Sequence, residues 1–236
     1  MIEAFLEYVN AFDLNNNTIN RKKEHSLRVA ALMKHYASLL GFNTDDISIS
    51  YEIGLLHDIG RFRQVEQTNS LNDLEFDHAD YGCKLLFKDG LINKFFIKES
   101  HYDILEFAIK NHNKHEIEQT SDTTKLKFAK LIRDIDKIDI FYLLSKKEIP
   151  KISDTSNITE NVLDAIRRHQ LVNTRDIITQ NDNVTCALAF VFEINYEVCK
   201  KELIDNFYAY YDTLENKDKF VEVINIINDY LKGDIK

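Results

Sequence analysis

Glycine and proline are scarce in this chain, with six glycines and one proline among 236 residues. Strand-rich folds and long irregular loops use both residues at their turns, so this scarcity argues against such folds. Leucine, isoleucine, lysine and glutamate are abundant instead, a composition typical of helices joined by short connections. We therefore predict an all-α fold.

Cysteines are also few, and long apolar runs are missing. Cys83, Cys186 and Cys199 are odd in number and lack the spacing of a cysteine metal site, which argues against a disulfide framework and a zinc ribbon. No apolar run approaches 18 residues, and the segment MIEAFLEYVN lacks the apolar core of a signal peptide. We expect a soluble, cytoplasmic protein with no membrane partner.

A surplus of positive charge is missing as well, since the formal net charge is −9. This balance argues against a broad surface for long nucleic acids or anionic membranes. A local basic pocket for one phosphate group is still compatible with it. Small phosphorylated molecules, nucleotides among them, therefore stay open as substrates.

The apolar periodicity predicts a string of helices without internal repeats or an obvious linker. The predicted ranges are 2–11, 19–41, 46–59, 77–88, 92–99, 102–113, 123–147, 159–171, 183–214 and 218–232. The segment RFRQVEQTNSLNDLE, residues 61–75, is polar and aperiodic, and we predict a loop that carries substrate contacts.

A histidine–aspartate pair, His57 and Asp58, interrupts the apolar run GLLHDIGRF. The pair is uninformative alone, because about one such dipeptide is expected by chance. However, a buried carboxylate without a partner costs several kcal/mol, so the pair implies a cation, a hydrogen-bond network or a cleft. Gly54, one turn before Asp58, predicts close approach by another helix.

Three more histidines occupy inward positions on predicted helices. His25 shares a helical stripe with Val29 and Tyr36 in KEHSLRVAALMKHYASLL. His78 lies at a helix start in FDHADYG, behind a capping aspartate, and His112 follows the apolar stripe of LEFAIKNH. A single inward histidine is more often a core residue than a ligand, but several together favour a site.

The segment KLIRDIDKIDIF contains three aspartates, each of which is a candidate for an inward-facing carboxylate. Asp136 shares its stripe with apolar residues, so we predict that it is the inward carboxylate. Asp134 shares its stripe with lysines, so we predict that it is solvated and salt-bridged. Asp139, one turn further, is a candidate for orienting a liganding imidazole.

The ordered set of His25, His57, Asp58, His78, His112 and Asp136 resembles the HD-domain superfamily of metal-dependent phosphohydrolases. That superfamily has the pattern His, His-Asp, Asp across a helical bundle, here over residues 20–145. The blocks EHSLRVA, LLHDIGRF, FDHADYG, IKNHN and RDIDKIDIFY resemble one branch of stand-alone predicted hydrolases. The resemblance implies a single HD-type domain over residues 1–236, with residues 146–236 as a helical C-terminal extension.

The resemblance also implies the ligands. The first metal ion would be held by His25, His57, Asp58 and Asp136, and a second by Asp58 with His78 and His112. Such ligands suit one or two divalent Mn, Fe, Co, Ni or Zn ions without distinguishing among them.

Asp58 would then be catalytic, together with two cations close to the ligands. Arg61 and Lys137 are the candidates for neutralising charge on the phosphoryl oxygens. The alternative is that both are solvated residues that favour helix ends.

The leading functional prediction is a metal-dependent phosphohydrolase that cleaves a phosphoester of a nucleotide or a related small molecule. The alternative is a regulatory module that binds metal or nucleotide with little turnover. A purely structural bundle is a third possibility, but it requires all six inward polar residues to find other partners. The chain lacks the Gly-Tyr-Pro block of cyclic-dinucleotide phosphodiesterases, which argues against that substrate.

Overall fold

The computed structural model describes residues 1–146 and 155–233, and this part of the chain is helical and contains no strand. The prediction of an all-α fold is thus confirmed. Residue 147 of the predicted helix 123–147 lies outside the described residues, as do residues 148–154 and 234–236 of the predicted extension. The α-helices are α1 (Ile2–Val9), α2 (Asn17–Leu39), α3 (Thr44–Leu56), α4 (Arg61–Thr68), α5 (His78–Cys83), α6 (Tyr102–Asn111), α7 (Thr123–Ser145), α8 (Glu160–Arg167), α9 (Gln180–Leu188), α10 (Glu197–Tyr211) and α11 (Val221–Gly233).

The chain forms two compact units, Met1–Asp136 and Lys137–Lys236, and the boundary falls inside α7. That the whole chain acts as one domain stays a prediction. None of the helices among the described residues has the length and apolarity needed to span a bilayer.

In the first unit, α2 packs against α3 over much of its length. Asn16 caps the start of α2 by accepting hydrogen bonds from the backbone N–H groups of Thr18 and Ile19. A Cβ atom on Gly54 would lie 2.7 Å from the Cα atom of Ala30, so the predicted close approach at this glycine is confirmed. The contact fixes α3 directly against α2.

The predicted loop at 61–75 was partly wrong, because its first half is the helix α4. This helix buries Phe62, whose ring contacts that of Phe5 at a centroid distance of 6.0 Å. It also buries the polar Gln64, which donates hydrogen bonds to the carbonyls of Asn72 and Phe76. A hydrophobicity pattern assigns a polar residue such as Gln64 to the solvent-exposed face. Because Gln64 is buried, the sequence of α4 does not show a clear helical periodicity.

Two other predicted helices are shorter than expected. The range 92–99 covers most of the 3₁₀ helix Leu91–Phe95, which ends where Phe96 adopts a left-handed backbone with φ 55°, and the first residue of a second 3₁₀ helix, Glu99–His101. In the second unit, the predicted helix 183–214 is divided into α9, a 3₁₀ turn at Ala189–Phe192, and α10. The residues of this 3₁₀ turn are all apolar, so periodicity alone does not locate it.

The second unit packs α8 against α9 and α11. Asp182, in the first turn of α9, accepts hydrogen bonds from the backbone N–H groups of Thr159, Ile178 and Thr179. In return, the side-chain oxygen of Thr179 accepts a hydrogen bond from the backbone N–H of Asp182, which completes a capping box.

Candidate metal centre

Three of the predicted ligands meet at the junction of α2, α3 and α7. His25 is fully buried in the middle of α2, and its Nε2 atom lies 3.2 Å from Nε2 of His57, the residue that follows α3. The Oδ1 atom of Asp136 on α7 is 3.0 Å from Nε2 of His25 and 3.7 Å from Nε2 of His57. We call His25, His57 and Asp136 the first half of the site.

Two further histidines face one another beside this group. His78 is the first residue of α5, and His112 directly follows α6. Both are buried, and their Nε2 atoms lie 2.9 Å apart. The helix start predicted at His78 is correct, with Asp77 as its capping residue. We call His78 and His112 the second half of the site.

Asp58 lies between the two halves, with one carboxylate oxygen directed at each. Its Oδ2 atom is 3.4 Å from Nε2 of His25 and 3.6 Å from Nε2 of His57. Its Oδ1 atom is 3.0 Å from Nε2 of His78 and 3.6 Å from Nε2 of His112. The predicted helix 46–59 ends earlier, at Leu56, so Asp58 lies in the turn before α4.

A glycine in this turn allows the second half to approach Asp58. A Cβ atom on Gly60 would lie 2.1 Å from the carbonyl oxygen of His78 and 2.9 Å from the backbone nitrogen of Gly82. Any larger residue would force α5 away from the turn. Gly60 therefore helps to place His78 beside the carboxylate of Asp58.

Hydrogen bonds fix the proton position on two of the imidazoles. Nδ1 of His57 lies 2.8 Å from the carbonyl oxygen of Gly54, and Nδ1 of His112 lies 2.6 Å from that of Ile109. Because a carbonyl oxygen only accepts, each Nδ1 carries the proton. When these rings are neutral, each Nε2 presents its lone pair to the site, as a metal-ligating histidine does.

The donor set fits a divalent cation. Among the described residues, the buried Oδ1 atom of Asp136 has no hydrogen bond of good geometry, although Nε2 of His25 lies 3.0 Å away, and this leaves the atom available to a cation. The predicted ligands form overlapping groups whose donor atoms lie within 4.8 Å of one another, namely His25–His57–Asp58, His57–His112–Asp136 and Asp58–His78–His112. Imidazole nitrogens and carboxylate oxygens in such sets are typical ligands of first-row transition metals.

The family model of the HD domain matches residues 23–141, half of the chain, and this range contains every predicted ligand. The chain belongs to the HD-domain family. Among curated proteins and solved structures, no significant match to the chain was found. The HD domain is a helical domain of metal-dependent hydrolases, so both the predicted superfamily and its fold are confirmed.

The two carboxylates of the HD site are ionised. Burial opposes the ionisation of Asp58, but Lys22 and the surrounding imidazoles outweigh it and hold its pKa well below the usual range. Burial also opposes the ionisation of Asp136, and His25 and His57 lower its pKa in the same way. Burial lowers the pKa of His112 to about 4, so this ring is neutral near pH 7. All three groups are in the state that binds a metal ion.

Two cations border Asp58, and only one of them was predicted. Arg61 places its Nε atom 3.5 Å from Oδ1 of Asp58, while its terminal nitrogens bind Asp73 at 2.7 and 3.1 Å. The other cation is Lys22, whose Nζ atom lies 2.7 Å from Oδ2 of Asp58. Lys22 lies three residues before His25, on the same side of α2, and this i, i+3 spacing is a signal that sequence reasoning missed.

The third predicted catalytic residue, Lys137, belongs to the second unit. Its ammonium forms an ion pair with the carboxylate of Glu193 and donates a hydrogen bond to the Glu193 carbonyl at 3.3 Å. It is 7% exposed and therefore buried. A contact of Lys137 with substrate stays a prediction.

The prediction that Asp134 is solvated was wrong, because this residue is fully buried. The prediction assumed that α7 has one exposed face, whereas the residues from Leu131 to Asp139 are buried with the exception of Asp136. Asp136 is itself partly exposed, although its Oδ1 atom is buried. Asp139 is buried, and its role in orienting an imidazole stays a prediction.

Proposed function

We propose that this protein is a metal-dependent phosphohydrolase that cleaves a phosphoester of a nucleotide or a related small phosphorylated molecule. The observation that carries the proposal is the placement of Asp58, which directs one oxygen at each of two histidine pairs. A carboxylate in this position is suited to bridging two divalent cations, as in two-metal phosphoryl-transfer sites. The negative net charge favours a small substrate over a long nucleic acid.

A bound divalent cation would polarise a phosphoryl oxygen and lower the pKa of a water molecule toward neutrality. The residues of this chain hold the cation and supply positive charge beside it. Lys22 is the better of the two cations near Asp58, because its ammonium itself lies beside that carboxylate at 2.7 Å, whereas the terminal nitrogens of Arg61 bind Asp73. In the proposed reaction, the ammonium of Lys22 neutralises charge that develops on the phosphoryl oxygens.

Hydrolysis assays with added Mn²⁺ test the proposal directly. The substrates are a phosphomonoester, 4-nitrophenyl phosphate, a phosphodiester, bis(4-nitrophenyl) phosphate, and a panel of nucleotides. We expect metal-dependent turnover that a chelator abolishes. Binding of Mn²⁺ and nucleotide without turnover of any substrate would instead support the regulatory module and contradict the proposal.

A lysine variant sharpens this test. Lys22→Ala should lower kcat/KM by about 10- to 100-fold, the loss expected when a charge-assisted contact worth about 1.5–3 kcal/mol is removed. Lys34→Ala is the matched control, because Lys34 lies on the same helix but is exposed. Equal rates for the two variants would contradict the role of Lys22.

A further inference from the structure

Asp73, in the segment between α4 and α5, receives hydrogen bonds from several directions. Its Oδ1 atom is 2.8 Å from Nδ1 of His78, 2.7 Å from a terminal nitrogen of Arg61 and 3.0 Å from Nε2 of Gln64. Its Oδ2 atom accepts from the second terminal nitrogen of Arg61 at 3.1 Å and from Nδ2 of Asn113 at 3.4 Å. Five donors directed at one side chain are consistent with an ionised carboxylate that only accepts.

His78 differs from His57 and His112 in how its ring is oriented. The latter two follow the ends of α3 and α6, so each donates from Nδ1 to a carbonyl three residues earlier. His78 is the first residue of α5 and has no preceding turn of its own helix. Its Nδ1 partner must therefore come from outside the helix, and the nearer one is Asp73 at 2.8 Å, with Nδ2 of Asn113 at 3.5 Å.

The ring of His78 lies between two carboxylates that compete for its proton. Asp73 contacts Nδ1 at 2.8 Å, and Asp58 contacts Nε2 at 3.0 Å. A neutral ring that donates from Nε2 to Asp58 has no lone pair on the nitrogen that faces the site. A ring that donates from Nδ1 to Asp73 keeps the Nε2 lone pair for a cation.

We propose that Asp73 is a positioning residue that keeps the proton of His78 on Nδ1 and thereby creates the second metal position, formed by His78, His112 and Asp58. The inference rests on the proposed metal-dependent function and identifies a residue on which the second half depends. Arg61 and Gln64 hold Asp73 in place, so the polar segment 61–75 acts on the metal site through His78.

Mn²⁺ titration by calorimetry tests the inference on the full chain. The unmodified protein should bind two Mn²⁺ ions, and Asp73→Ala should keep the affinity of the first while weakening the second by about 10- to 100-fold. Asp80→Ala is the matched control, because Asp80 lies two residues after His78 on α5 and pairs with Lys114 instead. It should bind both ions normally.

The proton position of His78 is a second measurement that does not depend on activity. Nitrogen-15 NMR of the protein loaded with diamagnetic Zn²⁺ should show a proton on Nδ1 of His78 and a metal-shifted Nε2. In Asp73→Ala the metal-induced shift of Nε2 should be lost. The His78 signals are assigned from their loss in His78→Gln. Should Asp73→Ala fail to fold, Asp73→Asn keeps the side-chain size. It should show the same loss of affinity for the second ion and the same change in the His78 signals, each to a smaller extent.

The outcomes separate this inference from the proposed function. Two Mn²⁺ ions bound at unchanged affinity in both Asp73 variants, or a proton on Nε2 of His78 in the Zn²⁺-loaded unmodified protein, would overturn the role of Asp73 and leave the hydrolase proposal intact. A single Mn²⁺ ion in the unmodified protein at saturation would also overturn the inference. No bound metal at all would overturn both.

Discussion

The two halves of the metal site are supported in different ways. Two of the three residues of the first half lie on long helices, His25 in the middle of α2 and Asp136 on α7, while His57 follows the end of α3. The second half depends on helix ends, since His78 begins α5 and His112 follows α6.

The guanidinium of Arg133 supports the segment after α6 by donating hydrogen bonds to several backbone carbonyls, among them that of Asn111 at 2.8 Å. Asp73 supports His78 from the preceding segment. His25 and Asp136 of the first half are therefore encoded in helical periodicity, whereas the second half depends on contacts between segments that periodicity does not describe.

Asp58→Asn is the variant with the largest expected effect, because Asp58 joins both halves. The substitution keeps the side-chain size but removes the negative charge that holds the cations. We expect both Mn²⁺ affinities to fall and turnover to decrease by at least about 10³-fold, since metal ions contribute several kcal/mol to catalysis. Calorimetry and steady-state kinetics measure these losses. Unchanged stoichiometry and rate would contradict the bridging role.

Asp136 and Asp134 form a matched pair on α7. Asp136→Ala should lose the Mn²⁺ ion of the first half, whereas Asp134→Ala should retain it and lose thermal stability, because Asp134 is buried outside the ligand groups. Metal analysis of the two purified proteins, with their melting temperatures, distinguishes these results. Equal metal retention would refute the assignment of Asp136.

Two glycines allow the halves to be perturbed separately. Gly54→Ala forces α3 away from α2, which carries His25, and Gly60→Ala forces α5, which carries His78, away from its turn. Each variant should lose about 1–3 kcal/mol of stability, the usual cost of overpacking. In Mn²⁺ titrations, Gly54→Ala should weaken the first ion more and Gly60→Ala the second. The same pattern in both variants would show that the halves are not independently supported.

The smallest effect concerns pH and His112. The pKa of its ring is lowered to about 4, from an ordinary value of 6.5, so the unfolded chain binds more protons between these values. The free energy of unfolding of the metal-free protein should therefore rise between about pH 4 and pH 6.5, and this contribution should be constant above.

Urea unfolding of His112→Gln at several pH values measures this contribution, and the variant should show a shallower slope than the unmodified protein. Asp58 and Asp136 act at lower pH, because their depressed pKa values give stability that is present above an ordinary carboxyl pKa and lost below it. Identical slopes for variant and parent would contradict the shifted pKa of His112.

The sequence was sufficient for the parts that depend on regular helices. His25 was identified from its stripe, and the order of the motifs led to the HD-domain family. The predictions were wrong for helices that bury residues on more than one face. Asp134 was misjudged because α7 is buried around most of its circumference, and α4 was missed because Gln64 is polar and buried. Asp73 gives no periodic signal, because its partners come from several segments of the chain.

The central claim is that Asp58 bridges two cation positions, and anomalous diffraction from crystals soaked in excess Mn²⁺ tests it most directly. We expect two ions, one on each side of the Asp58 carboxylate, with direct ligand distances of about 2.0–2.2 Å, the range of first-row metal sites. The claim is contradicted by a single ion with His78 and His112 more than about 5 Å away and directed elsewhere, since direct ligation is then impossible.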